Sequence, residues 1–145
     1  MSTRRRIRRP LILEGAAALL ESGLYTDLTV DALARSLHMS KSTLYKHFSS
    51  KEDVVITLLE ERCARTEEEV DARLRAVSDS KAAVRTLVEL CARHAERMPR
   101  AALVDDEDMP AECRRRVDAT RARLATAFRD VLSKGQDDGW LEQPD

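Results

Sequence analysis

The stretch Thr29-Val30-Asp31-Ala32-Leu33-Ala34-Arg35-Ser36-Leu37-His38-Met39-Ser40-Lys41-Ser42-Thr43-Leu44-Tyr45-Lys46-His47-Phe48 decides how this chain is read. Thr29 is a good helix N-cap, and Val30, Leu33, Ala34 and Leu37 follow at the spacing of a short amphipathic helix. Ser40 is a second cap and opens another short helix, Lys41 to about His47, with Met39 and Leu44 placed as a hydrophobic staple. Only the His38-Met39 turn separates the two. Helices this short, joined this tightly, must cross steeply, which is helix-turn-helix architecture.

Upstream, a first helix is expected from Pro10, a residue suited to the first helical position, to Ser22, with Ile12, Ala16, Leu19 and Leu20 on one face. Downstream, Ser50 and Asp53 form an S-x-x-D cap on a long fourth helix whose line Ile56, Leu59, Cys63, Thr66, Val70, Leu74, Val77 steps by three or four residues. A fifth helix reaches about Met98, buried through Val84, Leu87, Val88, Cys91 and Ala95. A sixth is expected over Pro110–Lys134, presenting Cys113, Val117, Thr120, Leu124, Phe128 and Val131 and stopped by Gly135. The fold class is all-α: a three-helix head joined by a long fourth helix to a short C-terminal helical lobe. The expected division is a basic arm (1–9), a head (10–60) and a C-terminal region (61–145).

Composition agrees with this and narrows the function. Of 145 residues 43% are hydrophobic, enough for a core, and only 3% are aromatic. Net charge is −1, yet residues 1–51 carry nine Lys/Arg against four acids, leaving 16 against 22 in the remainder. A basic head on an acidic body suits docking to a polyanion by one end. Neither a signal peptide nor a membrane-length apolar run is visible, and three spaced cysteines (Cys63, Cys91, Cys113) do not form a disulfide framework, so a cytoplasmic protein is expected. The histidines share no ligand spacing with the cysteines or acids, so no metal is expected. The acidic run Asp105–Asp108 lacks the glycine and spacing of a calcium loop. No nucleophile–base set or phosphate-cradling glycine loop is present, so neither an enzyme nor a cofactor is expected.

Chemistry concentrates on the third helix. Leu44 and Phe48 share its inner face, while Ser40, Lys41, Ser42, Thr43, Tyr45, Lys46 and His47 are donors or cations. Short hydroxyl side chains permit close approach in a major groove, and Lys, Tyr and His reach phosphates or base edges. A solvated surface helix would carry the same residue types. Lys51 adds a further clue, because a cation at a helix N-terminus is unfavourable unless an anion is held there. The cluster Arg4, Arg5, Arg6, Arg8, Arg9 reads either as a solvated tail or as an arm reaching phosphates or the minor groove.

Taken together, Ile12 to Leu59 resembles the DNA-binding head of the TetR family of bacterial regulators. The resemblance is carried by Ile12, Ala16, Ala17, Leu20, Gly23, Thr29-Val30, Leu33-Ala34, Ser40-Lys41, Thr43-Leu44-Tyr45, His47-Phe48 and Ser50-Lys51-Glu52. It implies that Thr29, Tyr45 and Lys51 grip phosphates and that Ser40–Lys46 face the groove, with His47 near the backbone. His38 departs from the family's usual glycine and is expected to take a positive φ. The resemblance further implies a homodimer on a palindromic operator in double-stranded DNA and a small-molecule effector that releases a repressor. Candidate pocket residues for that effector are Leu87, Met98, Met109 and Phe128. The chain ends where the family usually continues into its dimerising helices, so either the sequence is a fragment or dimerisation uses other surfaces. The alternative function is a helical protein-interaction module, or a non-dimerising regulator fragment, without operator binding of its own.

Overall fold

The computed structural model describes residues 3–104 and 106–142, with side chains described from residue 8 onward. Seven helices occur among the described residues: α1 Thr3–Ser22, α2 Val30–Ser36, α3 Lys41–Tyr45, α4 Lys51–Arg75, α5 Ser80–Arg97, α6 Arg100–Leu103 and α7 Ala111–Asp137. A 3-10 turn, Tyr25–Asp27, follows α1, and no strand occurs among the described residues. The all-α expectation is met. No described helix is long and apolar enough to cross a membrane.

Two compact units share the chain. The first comprises residues 1–61 and 98–116, the second 62–97 and 117–145. Residues 98–116, expected in the C-terminal region, therefore group with the head.

In the first unit α1 packs against α2 and α6, and α2 against α3. Ile12 and Leu20 from α1, Leu28, and Leu59 from α4 are at most 1% exposed. Each such side chain contributes roughly 1.5–3 kcal/mol relative to an exposed position. The Glu21 carboxylate accepts the backbone N–H of Arg100 (2.9 Å), joining α6 to the end of α1. α1 starts at Thr3, ahead of the expected Pro10, which lies inside it. Proline's fixed φ is helical, so its only losses are one N–H bond and crowding at the carbonyl one turn earlier, while the preceding arginines are strong helix formers.

α2 ends in a Schellman turn. His38 sits at φ 52° and donates its N–H to the Arg35 carbonyl, and Met39 donates to Ala34. The expected positive φ at His38 is observed.

The second unit is built from the later part of α4, α5 and the later part of α7. Val70, Leu87, Leu90 and Leu124 form its apolar core, with Leu74, Cys91, Ala127, Phe128 and Val131 packed against them. The buried line of α5 is Ala83, Leu87, Leu90 and His94; Val88 is 56% exposed and Ala95 is exposed too. Hydropathy alone rotates this face by one position, because it counts His94 as a surface residue. Thr66 makes His94 an interior one. The Thr66 hydroxyl donates to the Arg62 carbonyl (3.1 Å) and accepts from Arg97 (3.0 Å), so the 3.0 Å contact to His94 requires Nδ1 to donate. The Nε2 lone pair is then buried without a partner.

α7 also departs from expectation, passing through Gly135 to Asp137. Its Schellman turn is centred on Gly139 (φ 75°), whose N–H meets the Gln136 carbonyl while Trp140 returns to Gly135. A Cβ on Gly135 would lie 2.8 Å from both Trp140 and Leu141. Gly135 is small so that these side chains can fold back over it.

His38→Gly relieves the left-handed backbone at the cost of extra unfolded-state freedom, and is expected to raise stability by about 0.5–1 kcal/mol in urea unfolding. His94 is held below its usual pKa of 6.5, first by burial and then by Arg121 and Arg97, against a weaker pull from Glu67. The neutral ring is the folded-state form, so this contribution is complete above pH 6.5 and is lost as pH falls below it. Thermal unfolding between about pH 7.5 and 5 should show a steeper loss for the native chain than for His94→Asn. Equal slopes would exclude the histidine as the cause.

Candidate nucleic-acid interface

Each element of the helix-turn-helix is held by its own cap. Thr29 Oγ1 accepts the Ala32 N–H (3.0 Å), Ser40 Oγ accepts the Thr43 N–H (3.2 Å), and Ser50 Oγ accepts the Asp53 N–H (3.1 Å). Each bond uses a lone pair. On α3 the Ser40 hydroxyl also lies 3.1 Å from that of Ser42 and 2.9 Å from that of Thr43, placing three short hydroxyls on one turn. The expected S-x-x-D cap is half realised: Asp53 turns its carboxylate to the N–H (2.8 Å) and hydroxyl (3.1 Å) of Ser49 instead of Ser50.

Leu44 (4% exposed) and Phe48 (3%) anchor α3 as expected. On its other side Lys41, Ser42, Tyr45 and Lys46 are exposed, and Thr43 and His47 are half-buried. Lys41 is ion-paired to Asp31 across the turn (3.0 Å), and the hydrogen bond to that carboxylate raises the lysine's pKa. Thr29, Tyr45, Ser50 and Lys51 rim one cleft whose floor is Leu28, Val30, Leu33, Leu44, Phe48 and Val54. Three hydroxyls and an ammonium thus edge an apolar floor, with no carboxylate among the lining residues. The three residues expected to grip phosphates are neighbours in space.

Arg9 packs back on the head. Its guanidinium stacks 4.4 Å from the centre of the Phe48 ring and donates to the His47 carbonyl (3.1 Å), closing the C-terminal end of α3. Arg8 is exposed. The side chains of Arg4, Arg5 and Arg6 lie outside the described residues.

Two residues not singled out from the sequence join the site. The Lys51 ammonium rests 3.9 Å from the centre of the Tyr25 ring. The backbone N–H of Tyr25 is received by Asp106 Oδ2 (2.8 Å), a residue 81 positions away. No local spacing signals a contact of that range. Burial lowers the Lys51 pKa, opposed by Glu52, Asp106, Asp108 and Asp27. Burial, with Glu52 and Cys113, raises that of Tyr25 to about 12.

The four effector-pocket candidates divide between the units. Leu87 belongs to the core of the second, and the half-buried Phe128 packs against that core. Met98 and Met109, 2% and 3% exposed, are core residues of the first. Among the described residues no three His, Cys, Asp or Glu side chains are grouped to hold a metal ion.

Residues 12–58 match the model of the bacterial regulatory proteins of the tetR family. The chain is 31% identical over 84 residues to the HTH-type transcriptional regulator EthR of Mycolicibacterium smegmatis, a match covering 57% of this chain but only 39% of that protein. It is 28% identical over 148 residues to the nucleoid occlusion factor SlmA of Marinobacter nauticus, covering 94% of this chain and 72% of the relative. The TetR family transcriptional regulator PfmR of Thermus thermophilus superposes with a TM-score of 0.75 at 30% identity, over 92% of this chain and 75% of its own. A matching head and a matching fold along most of the length lead to one conclusion: the chain belongs to the TetR family, whose members are DNA-binding transcriptional regulators and not enzymes.

Proposed function

We propose that this chain is a sequence-specific repressor that binds double-stranded DNA through α3 and is released by a small-molecule effector. The observation that carries the reading is the cleft rimmed by Thr29, Tyr45, Ser50 and Lys51 beside the exposed polar face of α3. A phosphate at that rim receives hydroxyl donors, a cation and the N-terminal end of the 25-residue helix α4. With the backbone gripped there, Ser40, Lys41, Ser42, Thr43 and Lys46 face the major groove, where short hydroxyls and lysines meet base edges. Lys41 exchanges its Asp31 partner for DNA as it docks.

Two copies on a palindrome place two such helices in successive major grooves, about one helical turn or a multiple of it apart. The effector site is assigned to the apolar core of the second unit, around Leu87 and Phe128. An effector releases DNA only to the extent that it binds the released state more tightly than the DNA-bound one.

Selection from random duplex DNA at a stated salt concentration should enrich an inverted repeat. Enrichment of a single half-site would remove the dimer, and no enrichment would remove sequence-specific binding. On the selected site, Lys51→Gln should weaken binding and reduce the slope of log K against log salt by about one. Lys41→Ala should instead relax the preference at individual bases. An unchanged slope for Lys51→Gln would take that residue off the phosphate.

A further inference from the structure

We propose that Tyr25 is a positioning residue for the Lys51 ammonium, seated by Asp106, so that the cation stands ordered at the phosphate site before DNA arrives. This rests on the phosphate-gripping role of Lys51 given above. A lysine at the start of a helix carries a four-carbon stem with many rotamers, and ordering it is a cost of any contact it makes. Here the ammonium lies 3.9 Å from the centre of the Tyr25 ring. An aromatic face attracts a cation through its quadrupole, yet carries no net charge and takes no proton from it. A carboxylate partner would order the lysine equally well and cancel the charge that draws a phosphate. Lys41, paired with Asp31, shows that alternative in the same head. Around Lys51 the acids Glu52, Asp106, Asp108 and Asp27 act as a surrounding field without an ion pair to it among the described residues.

The ring itself is fixed from a distance. Tyr25 is 7% exposed, and Asp106, 6% exposed, receives its backbone N–H on Oδ2 (2.8 Å) and that of Asp108 on Oδ1 (3.1 Å). The buried Tyr25 hydroxyl has no hydrogen-bond partner. The hydroxyl therefore does not seat the ring, and phenylalanine should serve in its place. That distinguishes a platform from a hydrogen-bonding tyrosine.

The experiment uses the full chain with two readouts. In the DNA-free protein, NMR should find the Lys51 ε-methylene protons shifted upfield by the ring current, a shift kept in Tyr25→Phe and lost in Tyr25→Leu. On duplex DNA carrying the selected site, Tyr25→Leu should bind about tenfold more weakly, with a salt slope approaching that of Lys51→Gln, while Tyr25→Phe should match the native chain. Should Tyr25→Leu fail to fold, Asp106→Ala supplies the test, with the upfield shift and the affinity falling together. Absence of the upfield shift in the native chain overturns the proposal. So does a Tyr25→Leu or Asp106→Ala variant that loses the shift but keeps native affinity and slope while Lys51→Gln loses both. If Lys51→Gln changes nothing, the phosphate reading itself fails, and it fails independently of where the ring lies.

Discussion

The chain reverses between α2 and α3 within a short turn, and it does so because His38 accepts a left-handed backbone. Everything the head presents depends on that constraint. With the turn closed by the Arg35 and Ala34 carbonyls, α3 enters with Leu44 and Phe48 inward, leaving its lysines and short hydroxyls outward. A longer connection would free the crossing angle, and the same side chains would no longer have a fixed face. The strain at one residue is offset by apolar burial on both sides of it and by serine and threonine caps that fix where each helix begins.

Much of this is legible in the sequence because it is local. N-caps, the Leu44–Phe48 spacing and the tight turn are properties of a few adjacent residues, while the sign of φ at His38 is implied by the glycine that the resembled family carries there. Where pattern and structure part, a longer range or a competing rule decides. The face of α5 turns by one position because a buried histidine obeys a hydrogen bond to Thr66 across the unit and not the hydropathy of its type. Gly135 looks like a stop, whereas its lack of a side chain makes room for Trp140 and Leu141, and the stop falls to Gly139. Pro10 has the statistics of a helix start, but arginine propensity carries the helix through it. Tyr25 and Asp106 cannot be paired from spacing at all.

Aromatic residues are few in this chain, two Tyr, two Phe and one Trp, and Phe48, Tyr25 and Trp140 each hold a cation over the ring. Arg9 on Phe48 closes one end of α3, Lys51 on Tyr25 stands at the start of α4, and Lys81 lies 5.5 Å from the Trp140 ring. In a protein with 35% charged residues, such faces order long basic side chains without neutralising them. The first two lie in the head, where the charge is needed outward.

Trp140 donates its indole N–H to Ser80, and Ser80 donates in turn to Asp138 (2.6 Å each), tying the end of α7 to the first residue of α5. Both tyrosines lie in the first unit and the lone tryptophan in the second. Each unit thereby carries its own chromophore. Indole emission excited at the red edge follows the second unit alone, so its melting can be compared with that of the whole chain optically without any label.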